Sequence, residues 1–493
     1  MKIALQILGS ALRSIAEEMG AALVRSAFSA NIRERRDCST ALFDASGRMI
    51  AQAEHIPVHL GAMPEAVAAV RALDPQRGET YILNDPFAGG THLPDITLVS
   101  LTELGFAVSR AHHADVGGSD PGSMPSDSTR LEEEGVVIPP SRLDEDALRE
   151  LLARVRNPDE RRGDLRAQLS AHRLGEARIA ELCRRRGHAA VSAAMEELFS
   201  YSERRVRAAL ARLPDGRYAA SDVLEAIEGE LELRVAVTIA GDGLEIDFAG
   251  TAPQHRGNLN CPLAVTRSAA YFVVRCLTDP DVPASGGAFA PVRVRAPGGS
   301  LVNADPPAAV AAGNVETSCR IVDVLFAALG QATAAPAQGQ GTMNNLSFGN
   351  ERFSYYETLG GGQGACAEAD GPSGVHVTMS NTLNTPVEAL ELAYPLRVRR
   401  YVLRAGSGGA GRHRGGDGVV RELEALETCR VSLLTERRRH APAGAAGGEA
   451  GVTGRNLLNG EELPAKCTRV LRPGDLLTIE TPGGGGYGAA PTG

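Results

Sequence analysis

Histidine and aspartate crowd one short stretch of this chain. Five of the eleven histidines fall between His55 and His113, and Asp37, Asp85, Asp95 and Asp115 share that region. Imidazole and carboxylate together suit zinc, manganese or iron(II). His92 and Asp95 stand three apart in the loop GTHLPD, which follows the expected strand TYILND and is preceded by Gly89-Gly90. His113 and Asp115 stand two apart in FAVSRAHHADV, so on a strand they share one face. Spacing alone leaves two readings open. One is a metal site at a strand end beside Gly-rich loops. In the other, Asp115 caps a turn and His112 or His113 is a satisfied core histidine.

A second group of segments concentrates Asn, Gln, Thr and Gly: GNLNCP, GNVETSCR, GQGTMNN, YYETLGGGQGA and MSNTLNTPVEALE. Such residues supply left-handed backbone and directed hydrogen bonds, which a substrate pocket or an oxyanion-binding surface needs. They also supply the tight turns of a Gly-rich β domain. From these segments Asn314, Arg320 and Asn344 are the candidates for substrate contact, and Glu316 for proton transfer. A helix salt bridge is the bland alternative for Glu316 and Arg320.

The elements that must position these residues follow from pattern. Residues 4–30 carry apolar side chains at helical spacing. CSTALFDASGRMIAQA predicts a hairpin turning at Asp44–Gly47, and a short helix is expected over Pro64–Leu73. Residues 158–213 are rich in Arg, Ala, Leu and Glu and predict helix, closed by Leu213-Pro214-Asp215-Gly216. Beyond that, β-branched alternation dominates, with one helix near Ser318–Ala332, and the end TPGGGGYGAAPTG is Gly-rich. The expected class is α+β. Residues 1–157 form a mixed α/β region carrying the metal site, 158–213 a helical segment, and 214–493 a β-rich, Gly-rich region, all within one unit.

Composition narrows the function. A formal charge of -9 offers no basic stripe for nucleic acid or anionic lipid. The runs Arg184–Arg186 and Arg437–Arg439 are short and read as solvated faces or partner contacts. No stretch approaches the ~18 apolar residues of a membrane span, and the start reads as an amphipathic helix, so a cytoplasmic protein is expected. The eight cysteines are scattered without a CxxC pair. GxSxG and HExxH are both missing. Lys2 and Lys466 are the only lysines, and neither lies in a Walker A loop. Any ATP used is therefore expected on another chain.

Many long motifs, in order, carry a resemblance. ERRDCSTALFDASGRMIAQAEHIPVHLGAMPEAV, NDPFAGGTHLPDITLV, RAHHADVGGSDPGSMP, EEEGVVIPP, GDLRAQ, GNLNCPLAVTRSA, AAGNVETSCRIVDVLFAALGQA, YYETLGGGQGA, NTLNTPVEALE, GSGGAGRHRGGDGVVRE and TPGGGGYG resemble the hydantoinase B/5-oxoprolinase family over essentially the whole chain. The resemblance implies a B component that works with a hydantoinase A-type partner of actin-like ATPase fold. That partner phosphorylates the substrate, and the B component completes the reaction. It also implies a divalent metal (Zn, Mn or Fe) on this chain, with Asp37, His92, Asp95 and His113 as ligands. Asp115 and His112 become the accompanying catalytic groups, Asp115 as a spare ligand or as the carboxylate orienting a ligand imidazole, with a free carboxylate near the metal as general base. The expected activity is hydrolysis of a lactam or hydantoin in a hetero-oligomer such as a dimer of heterodimers. The alternatives are the catalytic subunit of an ATP-dependent ketone carboxylase, whose relatives are generally longer, and a non-catalytic subunit.

Overall fold

The computed structural model describes residues 3–53 and 56–490; His55 and Lys2, named above, lie outside them. The chain opens on α1 (Ile3–Ser26), which buries Leu5, Leu12, Ile15, Met19 and Leu23 along one stripe. The short α2 (Ala30–Arg33) follows. β1 (Cys38–Asp44) and β2 (Met49–Ala53) pair antiparallel as the expected hairpin. Its turn is tied by Asp44, whose Oδ1 accepts from Ser46 Oγ and the Arg48 N–H. Next come α3 (Met63–Arg71), β3 (Thr80–Leu83), β4 (Asp95–Leu101), β5 (Gly105–His112) and β6 (Ser141–Arg142). The six strands form one sheet in the order β2-β1-β5-β4-β3-β6.

Both faces of this sheet are covered, and strand alternation assigns each residue to a side. On β5, Phe106 and Val108 face the central apolar core, whereas Ala107 and Ala111 face a second cluster formed with α1. α4 (Glu145–Leu152) is capped by the Asp144 carboxylate. α5 (Pro158–Arg186) and α6 (His188–Leu210) then pack with α1 on that second face.

The central core continues into the rest of the chain. β7 (Gly216–Glu225), β8 (Glu230–Ala240), β9 (Gly243–Asp247) and β10 (Val292–Arg295) form a four-stranded sheet, with α7 (Leu263–Leu277) between β9 and β10 in the chain. α8 (Ser318–Leu329) is buried along nearly its whole length, and a π-helical turn, Gly313–Thr317, leads into it. β11 (Asn345–Gly349) and β12 (Ser354–Glu357) begin the C-terminal β region. It is completed by α9 (Val387–Ala393), β13 (Leu396–Arg404), β14 (Gly418–Ala425), β15 (Cys429–Leu434), β16 (Arg455–Leu458), β17 (Glu461–Leu463), β18 (Lys466–Leu471) and β19 (Leu476–Glu480). These make two sheets, β12-β11-β15-β18 and β13-β14-β19-β16-β17. The fold is α+β. One apolar cluster runs from Ala41 on β1 to Leu434 on β15, so residues from all three expected stretches share a core.

The Gly-rich tail has a packing role. Residues 481–486 are buried, and Gly484 donates to the Gly416 carbonyl at 2.9 Å. A Cβ on Gly484 would lie 2.1 Å from the Gln363 carbonyl oxygen, so backbone packs on backbone there and only glycine fits. Among the described residues, no helix is long and apolar enough to cross a membrane.

Candidate metal centre

Three neighbouring strands end side by side, and their last inward-facing residues are the candidate ligands. β4 begins on Asp95, which pairs directly with His112 at the end of β5. Asp37 immediately precedes β1, and its carbonyl accepts from the His112 N–H at 3.0 Å. Asp37, His112 and Asp95 thus lie in one row across β1, β5 and β4, on the face that Phe106, Val108 and Val99 carry into the central core. The Gly89–Pro94 loop brings in His92. Gly89 has a φ of 97°, and a Cβ on Gly90 would stand 2.2 Å from the Asn84 carbonyl oxygen, so this turn requires both glycines. A 3-10 turn, Pro57–His59, supplies a further imidazole.

The geometry is tight. His92 Nε2 lies 3.1 Å from His112 Nδ1 and 3.1 Å from Asp95 Oδ1, and His112 Nδ1 lies 3.2 Å from Asp95 Oδ1. An ion with bonds of ~2.0–2.1 Å holds adjacent donors roughly 3.0–3.4 Å apart. Two imidazole nitrogens and a carboxylate oxygen converging at those separations could hold a divalent metal ion, and all three residues are buried. The donor set suits zinc, manganese or iron(II) better than calcium or magnesium, which prefer all-oxygen cages. The other Asp95 oxygen accepts from Thr91 Oγ1 at 2.5 Å and lies 3.5 Å from His59 Nε2. His59 is set in turn by Ser39 Oγ, 2.9 Å from its Nδ1. Tyr356 stacks on His112 with centroids 4.5 Å apart, and its hydroxyl donates to Asn345.

Electrostatics favour neutral His112 and His59 beside an ionised Asp95. Burial lowers His112 to about 4 and also lowers His59. Burial pushes the Asp95 carboxyl up, but His92, His112 and His59 outweigh it and hold it well below the usual range. Burial, reinforced by Asp95, raises Asp37 to about 6. Asp37, His59, His92, Asp95, His112 and Asn314 line a cavity of about 20 Å3, completed by Tyr356, Thr358, Ser380 and Thr382. That space suits a water or an ion, not an organic ring.

The structure separates the other expected residues from this cluster. His113 follows His112 and so projects from the opposite side, where its Nε2 sits 3.1 Å from Gln168 Oε1 on α5. Strand alternation thus puts His112, rather than the expected His113, beside Asp95. Asp115 accepts from the Gly117 and Gly122 N–H groups and pairs with Arg156 at 3.0 Å, which makes it the brace of the loop after β5. Arg320 is buried against Asp222 at 3.2 Å and Glu436 at 3.3 Å, away from the cavity walls. Asn344 accepts from Arg438 in the same region. Arg437, expected on a solvated face or at a partner contact, pairs with Asp323 at 2.6 Å and is buried. Lys466 is buried against Glu436. Glu316 stands between the two groups. Its Oε1 accepts from Asn345 at 2.8 Å, its Oε2 is buried with no hydrogen-bond partner among the described residues, and its neighbours Asn314 and Val315 line the cavity.

Sequence reasoning passed over His59, Thr91 and Tyr356 as individual residues. His59 belongs to the histidine-rich stretch, but nothing in its spacing marks it. Thr91 lies inside GTHLPD, where a hydroxyl next to a candidate ligand was the available signal.

The profile described as hydantoinase B/oxoprolinase matches residues 1–490. The chain belongs to the hydantoinase B/oxoprolinase family. It is 39% identical to 5-oxoprolinase 1 of Arabidopsis thaliana over 99% of this chain and 42% of that protein. The chain therefore spans about two fifths of that relative's length. Among solved structures, it superposes on an ATP-dependent caprolactamase from Pseudomonas jessenii with a TM-score of 0.92 and 28% identity, covering 99% of this chain and 92% of that one. It also superposes on an acetone carboxylase with a TM-score of 0.86 and 18% identity, covering 99% of this chain and 75% of that one, a likeness of fold.

Proposed function

We propose that this chain is the B component of an ATP-dependent cyclic-amide hydrolase, opening a lactam or hydantoin ring that a partner ATPase has activated by phosphorylation. The observation that carries the reading is the convergence of His92, Asp95 and His112 in a buried cavity, on a chain 28% identical to a caprolactamase. Asp37 is the fourth candidate ligand, from the same cavity wall. A divalent metal there supplies Lewis acidity to polarise the substrate and to acidify an attacking water. The chain's own residues do the rest. Thr91 and His59 fix the Asp95 carboxylate, and Tyr356 fixes the His112 ring. Asn314 presents a buried side-chain Oδ1 with no hydrogen-bond partner among the described residues, suited to a substrate N–H. Neither lysine lies in a phosphate-binding loop, which supports placing ATP on an actin-like hydantoinase A-type partner within a hetero-oligomer.

The test is turnover. The purified chain with its ATPase partner, ATP and 5-oxoproline, a hydantoin or caprolactam should release ADP together with the ring-opened acid. ADP formed only in the presence of a ketone and bicarbonate would replace this reading with that of a carboxylase.

A further inference from the structure

The five largest fully buried side chains are all arginines, Arg35, Arg110, Arg161, Arg320 and Arg437, and four have evident partners. Arg161, Arg320 and Arg437 each pair with a carboxylate. Arg110 donates to Thr97 Oγ1 and the Gly89 carbonyl. Arg35 is different. One of its nitrogens, Nη2, donates to Thr358 Oγ1 at 2.6 Å and to Thr382 Oγ1 at 3.0 Å. Its Nε and Nη1 are buried with no hydrogen-bond partner among the described residues, and it forms no ion pair there. A buried guanidinium with only two hydroxyls as hydrogen-bond partners is costly, and stability alone does not favour keeping it.

Its position indicates what it serves. Thr358 and Thr382 are walls of the cavity that holds His92, Asp95 and His112. The Arg35 guanidinium lies 5.8 Å from the centre of the Tyr356 ring, a third wall. The two threonine hydroxyls are 2.9 Å apart, and His376 extends the cluster, its Nδ1 2.8 Å from Ser380 Oγ and its Nε2 3.3 Å from Thr382 Oγ1. Two hydroxyls backed by a guanidinium with N–H groups to spare match the oxygens of a carboxylate or phosphoryl group.

We propose that Arg35, Thr358 and Thr382 form an oxyanion-binding subsite beside the His92–Asp95–His112 cluster, receiving a carboxylate or phosphoryl group of the substrate. Only the choice of substrate here rests on the hydrolase reading. Residues 376–386 beside this subsite have no regular secondary structure, and there buried Thr382 sits between exposed Asn381 and Leu383. With a cavity of about 20 Å3, its walls must move apart for a ligand to enter.

Calorimetric titration of the full chain tests this. The probes are inorganic phosphate, 5-oxoproline, and 2-pyrrolidinone, which has the same ring without the carboxylate. In the wild-type protein either phosphate binds or 5-oxoproline binds more tightly than 2-pyrrolidinone; the first identifies a phosphoryl site, the second a carboxylate site. Arg35→Gln should weaken that binding tenfold or more, and Arg35→Lys, which keeps the charge but loses the fork, should fall between. If Arg35→Gln does not fold, Arg35→Lys alone decides: affinity equal to wild type overturns the proposal. So does a wild-type chain that binds no phosphate and treats the two rings alike. Metal content measured on the same samples keeps the readings apart. A wild type that takes up no metal would count against the metal centre and leave the anion result standing.

Discussion

Asp95 and His112 are direct cross-strand partners, and the register that pairs them brings Oδ1 of one to 3.2 Å from Nδ1 of the other. That pairing also turns His113 out of the site, so adjacent histidines acquire different expected behaviour. His112→Ala should abolish most metal uptake, whereas His113→Ala should keep the metal. His113→Ala should instead cost about 1–3 kcal/mol of stability by stranding the Gln168 amide. Elemental analysis and denaturant melts of the two variants check this. Metal loss in His113→Ala with retention in His112→Ala would reverse the assignment.

Asp115 separates a catalytic from a structural carboxylate. It accepts from two loop N–H groups and pairs with Arg156. Asp115→Asn should lower stability by about 1–3 kcal/mol and leave metal content unchanged. A folded variant of wild-type stability that had lost turnover would return Asp115 to the chemistry.

Glu316 predicts a pH dependence of stability. Burial, with Glu436 adding to it, raises its carboxyl from 4.5 to about 8. The folded state therefore holds the proton more tightly than the unfolded chain. This contribution is complete below pH 4.5 and is lost as pH rises through about 8. Glu316→Gln should flatten that part of the stability profile, bringing the losses between pH 5 and 8.5 below those of wild type by ~1 kcal/mol or more. Parallel profiles for the two proteins would count against a buried proton on Glu316.

Arg320 was a candidate for substrate contact and is buried between Asp222 and Glu436. Arg320→Met would leave both carboxylates without that cation, at a cost of ~3–5 kcal/mol. In variants that still fold, KM should be unchanged. A selective rise in KM with intact stability would restore the substrate role.

Much of this molecule is legible in its residue order. The α1 stripe, the Asp44–Gly47 turn and the helical stretch ending near residue 210 depend on local spacing and capping, which act over a few neighbours. The Gly89-Gly90 turn that presents His92 is local as well, because close backbone approach demands glycine there. Family membership is also carried by the sequence, as long ordered motifs.

What the sequence alone determined was the cast: a His- and Asp-rich stretch, Gly-rich loops, and a chain without a phosphate-gripping lysine. Only the tertiary structure decided which of these residues meet. In HHAD a shift of one residue exchanges the two faces of a strand, and the choice depends on pairing with β4, not on spacing. His59 and Tyr356 reach the cavity from segments far apart in the chain, and Arg35 meets its walls Thr358 and Thr382, through packing that no local pattern encodes. The same packing drew Arg320, Asn344 and Arg437 into ion pairs and hydrogen bonds elsewhere, because a buried charge must find a partner wherever the fold places one.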